Sequence, residues 1–146
     1  MTGAAREMAT RPTGATGPEL AIVFDGGSLG NPGKGYGSFR IRPPGGDWEP
    51  AVRLDYGDGV TNNEAEYRSL LGAMEAVARR SKDPAALQVL VYGDSQLVLR
   101  QLEGAWKVKA ENLRPLFEAT RAAARRFKKV RYQWHPRAKS VDLLGH

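Results

Sequence analysis

Leu20-Ala21-Ile22-Val23-Phe24-Asp25-Gly26-Gly27 is the stretch from which the fold follows. Five apolar residues in unbroken succession, ended by an acid and two glycines, have the pattern of a strand buried on both faces. Such strands lie inside α/β sheets. A second run of this kind spans residues 87–92 and ends the same way, in Gly93-Asp94. Between the two runs, Tyr67, Leu70, Leu71, Met74, Val77 and Ala78 keep the 3.6-residue period of a helix over residues 63–81. Thr61 followed by Glu64 fits a capping box at its start, and Asp83-Pro84 ends the element.

Working outward, residues 33–37 read as a glycine-rich turn and residues 36–42 as a second strand. Residues 48–56 can pair back as a third strand, after the turn Pro43-Pro44-Gly45-Gly46. Downstream come a short helix over 95–103 broken by Gly104, a longer one over 112–127, a last strand over 130–134, and a helical turn over 141–146. A hairpin thus precedes a strand–helix–strand crossover. That order predicts an α/β sheet, antiparallel at one edge and parallel in the middle.

Residues 1–18 carry no periodicity and read as a disordered N-terminal tail, leaving residues 19–146 as one domain. The tail has no apolar core of a secretory signal, and no apolar run has the roughly 18 residues of a membrane span. There is no cysteine, which excludes disulfides, thiol nucleophiles and thiolate metal sites. The net charge of +6 is unevenly placed. Residues 107–139 hold eleven Lys and Arg against Glu111 and Glu118, a local +9 on a remainder of −3. A basic segment on a near-neutral body suits a polyanion, nucleic acid before membrane, or is a solvated helix face.

Asp25 and Asp94 each end an apolar strand. Parallel neighbours would put both carboxylates in the crevice beyond one sheet edge, although each alone could cap a turn. Glu66 lies four residues before Leu70 and seven before Ala73, on the stripe that faces the sheet. Glu64, rotated from it by about 200°, is the capping partner. An unpaired inward carboxylate is costly, and three like charges in one crevice repel unless cations sit among them. Oxygen donors without His or Cys suit Mg²⁺ or Mn²⁺. Asp142, beyond the last strand, is the candidate fourth member.

Four segments carry a resemblance: Phe24-Asp25-Gly26-Gly27-Ser28-Leu29-Gly30-Asn31-Pro32-Gly33, Thr61-Asn62-Asn63-Glu64-Ala65-Glu66, Gly93-Asp94-Ser95-Gln96-Leu97-Val98, and His135-Pro136-Arg137 followed by Asp142. In order and spacing the chain resembles ribonuclease H, type I, across residues 20–142. The resemblance implies a mixed five-stranded sheet, its first three strands antiparallel and the remainder parallel, flanked by helices. It implies endonucleolytic hydrolysis of the RNA strand of an RNA–DNA hybrid, leaving 3′-hydroxyl and 5′-phosphate ends. Asp25, Glu66, Asp94 and Asp142 match the family's metal-binding carboxylates, which hold two Mg²⁺ ions, with Mn²⁺ as substitute. Asp25 would bridge both ions, Asp142 would help hold the ion that activates water, and Glu66 and Asp94 the ion at the leaving oxygen.

The same resemblance marks a substrate surface. The backbone of Gly26, Gly27 and Ser28 can approach closely, and Asn31, Asn62, Asn63 and Gln96 match minor-groove contacts, with amides that both donate and accept. Asn31 could equally be a turn residue, and Asn62 and Asn63 capping residues. Thr61 is similar to a residue that holds a DNA-strand phosphate. Trp106, Lys107 and Lys109 resemble the segment that closes the groove, while Trp106 could also be a core residue. Residues 104–113 leave no room for the basic insertion of some members, and Arg121, Arg125, Arg126, Lys128 and Lys129 are partial substitutes.

The last motif departs most: Ala138 and Val141 stand where many members have Asn and Ala. With four residues after Asp142, any final helix is expected to be one turn at most, a frayed support for a ligand. His135 and Arg137 are candidate catalytic residues, either as helpers in product release or, for His135, as a strand-end residue. His146 could share a helix face with Asp142. The competing function is a non-cleaving nucleic-acid-binding module on the same fold. An exonuclease with Asp-x-Glu on its first strand is disfavoured by Asp25-Gly26-Gly27, and a phosphate-binding loop by Gly33-Lys34-Gly35. The partner expected is an RNA–DNA hybrid, with no membrane, and the protein a cytoplasmic monomer.

Overall fold

The computed structural model describes residues 19–145. The tail expected over residues 1–18 and the role considered for His146 lie outside the described residues. Five strands form one sheet: β1 (Glu19–Leu29), β2 (Gly33–Arg42), β3 (Val52–Val60), β4 (Gln88–Gly93) and β5 (Lys129–Trp134), in the order β3-β2-β1-β4-β5. The pairs β1–β2 and β2–β3 are antiparallel, and β1–β4 and β4–β5 are parallel. The helices are α1 (Asn62–Arg80), α2 (Gln96–Glu103), α3 (Arg114–Ala124) and α4 (Arg137–Leu144).

The apolar run becomes the central strand because only there can both faces be covered. Ile22 and Phe24 join Phe39, Ile41, Leu70, Met74 and Val91 in the core under α1. By strand alternation Val23 and Asp25 point the other way, toward α4, which packs on β1 and β2. The capping box on α1 forms as expected: Glu64 N–H donates to Thr61 Oγ1 at 3.1 Å, and Thr61 N–H donates to Glu64 Oε1 at 2.8 Å. Tyr67, fully buried, ties α1 to α2 by donating to Gln101 Oε1 at 2.6 Å.

Four elements differ from expectation. Residues 33–37 are strand, and the turn falls at residues 30–32. The glycines are there for close packing: a Cβ on Gly37 would sit 1.9 Å from Ser69 Oγ. The third strand is Val52–Val60 rather than 48–56. Pro50 cannot donate to a ladder, while Trp48 lies 4.9 Å under the Arg42 guanidinium. Helix α3 is shorter than 112–127, with Pro115 in its first turn.

The largest correction is α4. It is eight residues long and starts at Arg137, not a single turn from 141. Its buried Ser140 and Leu144 face the sheet. Arg40 on β2 donates to Leu143 O at 2.7 Å and Arg53 on β3 to Leu144 O at 2.9 Å. Carbonyls that a helix terminus leaves unpaired are thereby satisfied from residues about a hundred positions upstream.

Candidate active site

The β1–β4 register levels the two aspartates. Val23 lies opposite Tyr92, and Asp25 within β1 and Asp94 just past β4 are each two residues further along, beyond the end of the parallel pairing of the two strands. Glu66 reaches them because α1 starts almost on top of β1. A Cβ on Gly26 would lie 2.4 Å from the Ala65 carbonyl carbon and 2.6 Å from the Glu66 nitrogen, so only glycine permits this approach. One carboxylate oxygen from each of Asp25, Glu66 and Asp94 lies within 4.8 Å of the others.

Two of these acids are buried, Asp25 at 1 % and Glu66 at 7 % exposed, and Asp94 is half-buried. Burial and then the Asp94 charge push the Asp25 carboxyl up. Burial, then the charges of Asp25 and Asp94, hold Glu66 well above the ordinary carboxylate range. A hydrogen bond from the Gly26 backbone pulls both the other way. Glu66 Oε1 is buried and accepts no hydrogen bond among the described residues. Such a cluster is unfavourable as it stands. Hard oxygen donors with uncompensated charge fit a divalent cation of the Mg²⁺ class.

A guanidinium answers part of that charge. Arg137 Nη1 is 3.6 Å from Asp25 Oδ2 and 3.7 Å from Asp94 Oδ2, and its side chain is 61 % exposed. His135, just before α4, is buried. Its Nε2 lies 2.8 Å from Ser140 Oγ and its ring stacks on Tyr92 with centroids 5.9 Å apart. Burial lowers its pKa. It clips the strand end to α4. Asp142 is exposed on α4 and, among the described residues, does not join the three-acid group.

The expected substrate residues border this edge on three elements. Ser28 and Asn31 lie at the end of β1 and in the following turn, Thr61, Asn62 and Asn63 at the start of α1, and Gln96 at the start of α2. Asn62 N–H donates to Asn31 Oδ1 at 3.1 Å, which joins two of these segments. The Ser28 hydroxyl donates to Val60 O at 2.7 Å. Asn31, Asn62, Asn63, Gln96, Lys107 and Lys109 are exposed. Trp106 is 48 % exposed and is no core residue. One contributor escaped the sequence reading: Trp134 Nε1 donates to Asp94 O at 3.1 Å. The pairing of Gly93 with Trp134 across β4–β5 puts it there, and the sequence shows no trace of that pairing.

The reverse transcriptase-like family matches residues 23–141. A ribonuclease HI of Halobacterium salinarum is 39 % identical over 102 residues, 67 % of this chain and 47 % of that protein. The crystal structure of ribonuclease H1 from that organism superposes with a TM-score of 0.75 at 33 % identity, covering 84 % of this chain and 89 % of the other. The chain belongs to the type I ribonuclease H family. A second relative of this chain is a bifunctional protein of Mycobacterium tuberculosis, 36 % identical over 124 residues, 84 % of this chain and 33 % of that one. The chain thus spans a third of the mycobacterial protein and under half of the Halobacterium one. The LC11 ribonuclease H1, solved in complex with an RNA/DNA hybrid, superposes with a TM-score of 0.77 at 28 % identity over 84 % of this chain and 89 % of the other. Among the described residues, no helix is long and apolar enough to cross a membrane.

Proposed function

We propose that this ribonuclease H domain is an endonuclease that hydrolyses the RNA strand of RNA–DNA hybrids with two Mg²⁺ ions, or Mn²⁺ in their place, leaving 3′-hydroxyl and 5′-phosphate ends. The observation that carries this reading is the convergence of Asp25, Glu66 and Asp94 within 4.8 Å at one sheet edge, with buried oxygens suited to a hard cation. These three would hold the ions, with Asp142 contributing from α4. Ions held by these residues would supply the charge needed to activate water and to stabilise the attacking and leaving oxygens of an in-line displacement.

The chain's own residues do the rest. Asn31, Asn62, Asn63 and Gln96 present neutral amides around the acids, suited to 2′-hydroxyls and base edges. The Thr61 hydroxyl, which accepts from Glu64 N–H, keeps its own hydrogen to donate to a DNA-strand phosphate. Trp106, Lys107 and Lys109, all exposed, would offer a stacking face and phosphate contacts. The buried His135 acts by positioning α4, and with it Arg137 and Asp142.

The test compares labelled RNA–DNA, double-stranded RNA and double-stranded DNA, in Mg²⁺ and in Mn²⁺, with a circular hybrid to separate endonuclease from exonuclease. The hybrid is expected to be cut in its RNA strand. Asp94→Asn is expected to lose at least about 10³-fold in rate and still bind. Intact hybrid after incubation with the wild-type protein would leave the non-cleaving binding module as the better reading.

A further inference from the structure

The proposal concerns Arg137 and rests on the metal reading above. Its guanidinium sits 3.6 Å from Asp25 Oδ2 and 3.7 Å from Asp94 Oδ2, so one cation already bridges two of the three converging carboxylates. Any ion bound by the cluster must use those same carboxylates. Both contacts are longer than a hydrogen bond, which makes them Coulombic and reversible. With 61 % of the side chain exposed, the guanidinium can withdraw into water without leaving a cavity. Its tether is firm. Arg137 opens α4, and the residues before it are held by His135 against Ser140 and by His135 N–H donating to Gly93 O at 3.0 Å.

We propose that Arg137 is a tethered counter-ion that competes with the divalent cation for Asp25 and Asp94. It steadies the acid cluster before an ion arrives, and it sets how much ion the site requires. Glu66 lies outside its two ion pairs, so the arginine compensates only part of the cluster and leaves the site attractive to a divalent ion. Lys139, on the same helix and also exposed, makes no ion pair with these acids among the described residues. It therefore separates contact from overall charge.

The experiment measures binding of Mn²⁺ alone by calorimetry, at fixed ionic strength and without nucleic acid. The thermal shift on adding Mg²⁺ is recorded in parallel. Arg137→Ala is expected to bind Mn²⁺ roughly three- to tenfold tighter than wild type, the range open to a pair of partly exposed ion pairs. It should melt lower in chelator and gain more on adding Mg²⁺. Arg137→Gln, which keeps most of the stem over the site, should behave the same way, and Lys139→Gln should bind like wild type. Equal or weaker binding by both Arg137 variants overturns this inference alone, as does a Lys139→Gln protein that tightens equally. Failure of every protein to bind either ion overturns the metal reading as well, and this inference with it.

Discussion

The sheet has two ends with opposite charge economies. At the amino end of β1, Glu19 takes Arg131 of β5 at 2.6 Å, one acid with one base, both largely shielded. Six residues along the same strand, Asp25 shares one exposed arginine with Asp94, at distances above 3.5 Å, while Glu66 adds a third acid. The first end resembles ordinary surface engineering, where charges are matched and close. The second is left short of positive charge, which costs stability and creates affinity for a cation. Stability and function are thus separated along a single strand.

The sharpest way to break that contrast is Gly26→Ala. Its Cβ would run into the Ala65 carbonyl and the Glu66 nitrogen, backbone atoms that cannot swing aside. The substitution is expected to destabilise the fold by about 2–3 kcal/mol and to abolish cleavage by lifting Glu66 away from Asp25. Denaturant unfolding and the hybrid assay check both, and a stable, active variant would show that the close approach is dispensable.

Next in size is Glu66→Gln. The folded-state pKa of Glu66 is raised, so the folded protein retains a proton that the unfolded chain releases near pH 4.5. The proton-linked stability is fully present below that value and is lost as pH rises through the folded-state pKa. In chelator at neutral pH the glutamine variant should therefore be more stable than wild type by about 1 kcal/mol, with a flatter pH dependence above pH 4.5, and inactive. A loss of stability at neutral pH would mean that the acids are better compensated than their geometry indicates.

The smallest effect belongs to the matched end. Glu19→Gln should lower stability by about 0.5–1 kcal/mol, less in high salt, with the cleavage rate unchanged. A change in rate would show that the two ends are coupled.

Legibility followed the range of the interactions. The run around Val23 is apolar throughout and the run around Val91 is interrupted only by Gln88, so both declared themselves as central strands. Thr61 and Glu64 met as a capping box because the motif is local. Helical periodicity alone put Glu66 on the inward stripe. The third strand was legible over residues 52–56, where Val52, Leu54 and Tyr56 alternate, but not over 57–60, because Gly57, Asp58 and Gly59 carry no apolar alternation. Helix α4 was underestimated because its terminal carbonyls are satisfied by Arg40 and Arg53, and no local signal announces such partners.

The amino-acid sequence by itself determined the kinds of element, their order and the three acids that lie at their ends, because periodicity, capping and turn chemistry act over a few residues. Only the tertiary structure decided that Gly26 lets α1 settle on β1, that Arg137 rather than Asp142 sits against Asp25 and Asp94, and that His135 is a buried clip. Those outcomes depend on where distant segments come to rest, and that is set by the packing of the whole sheet with its helices.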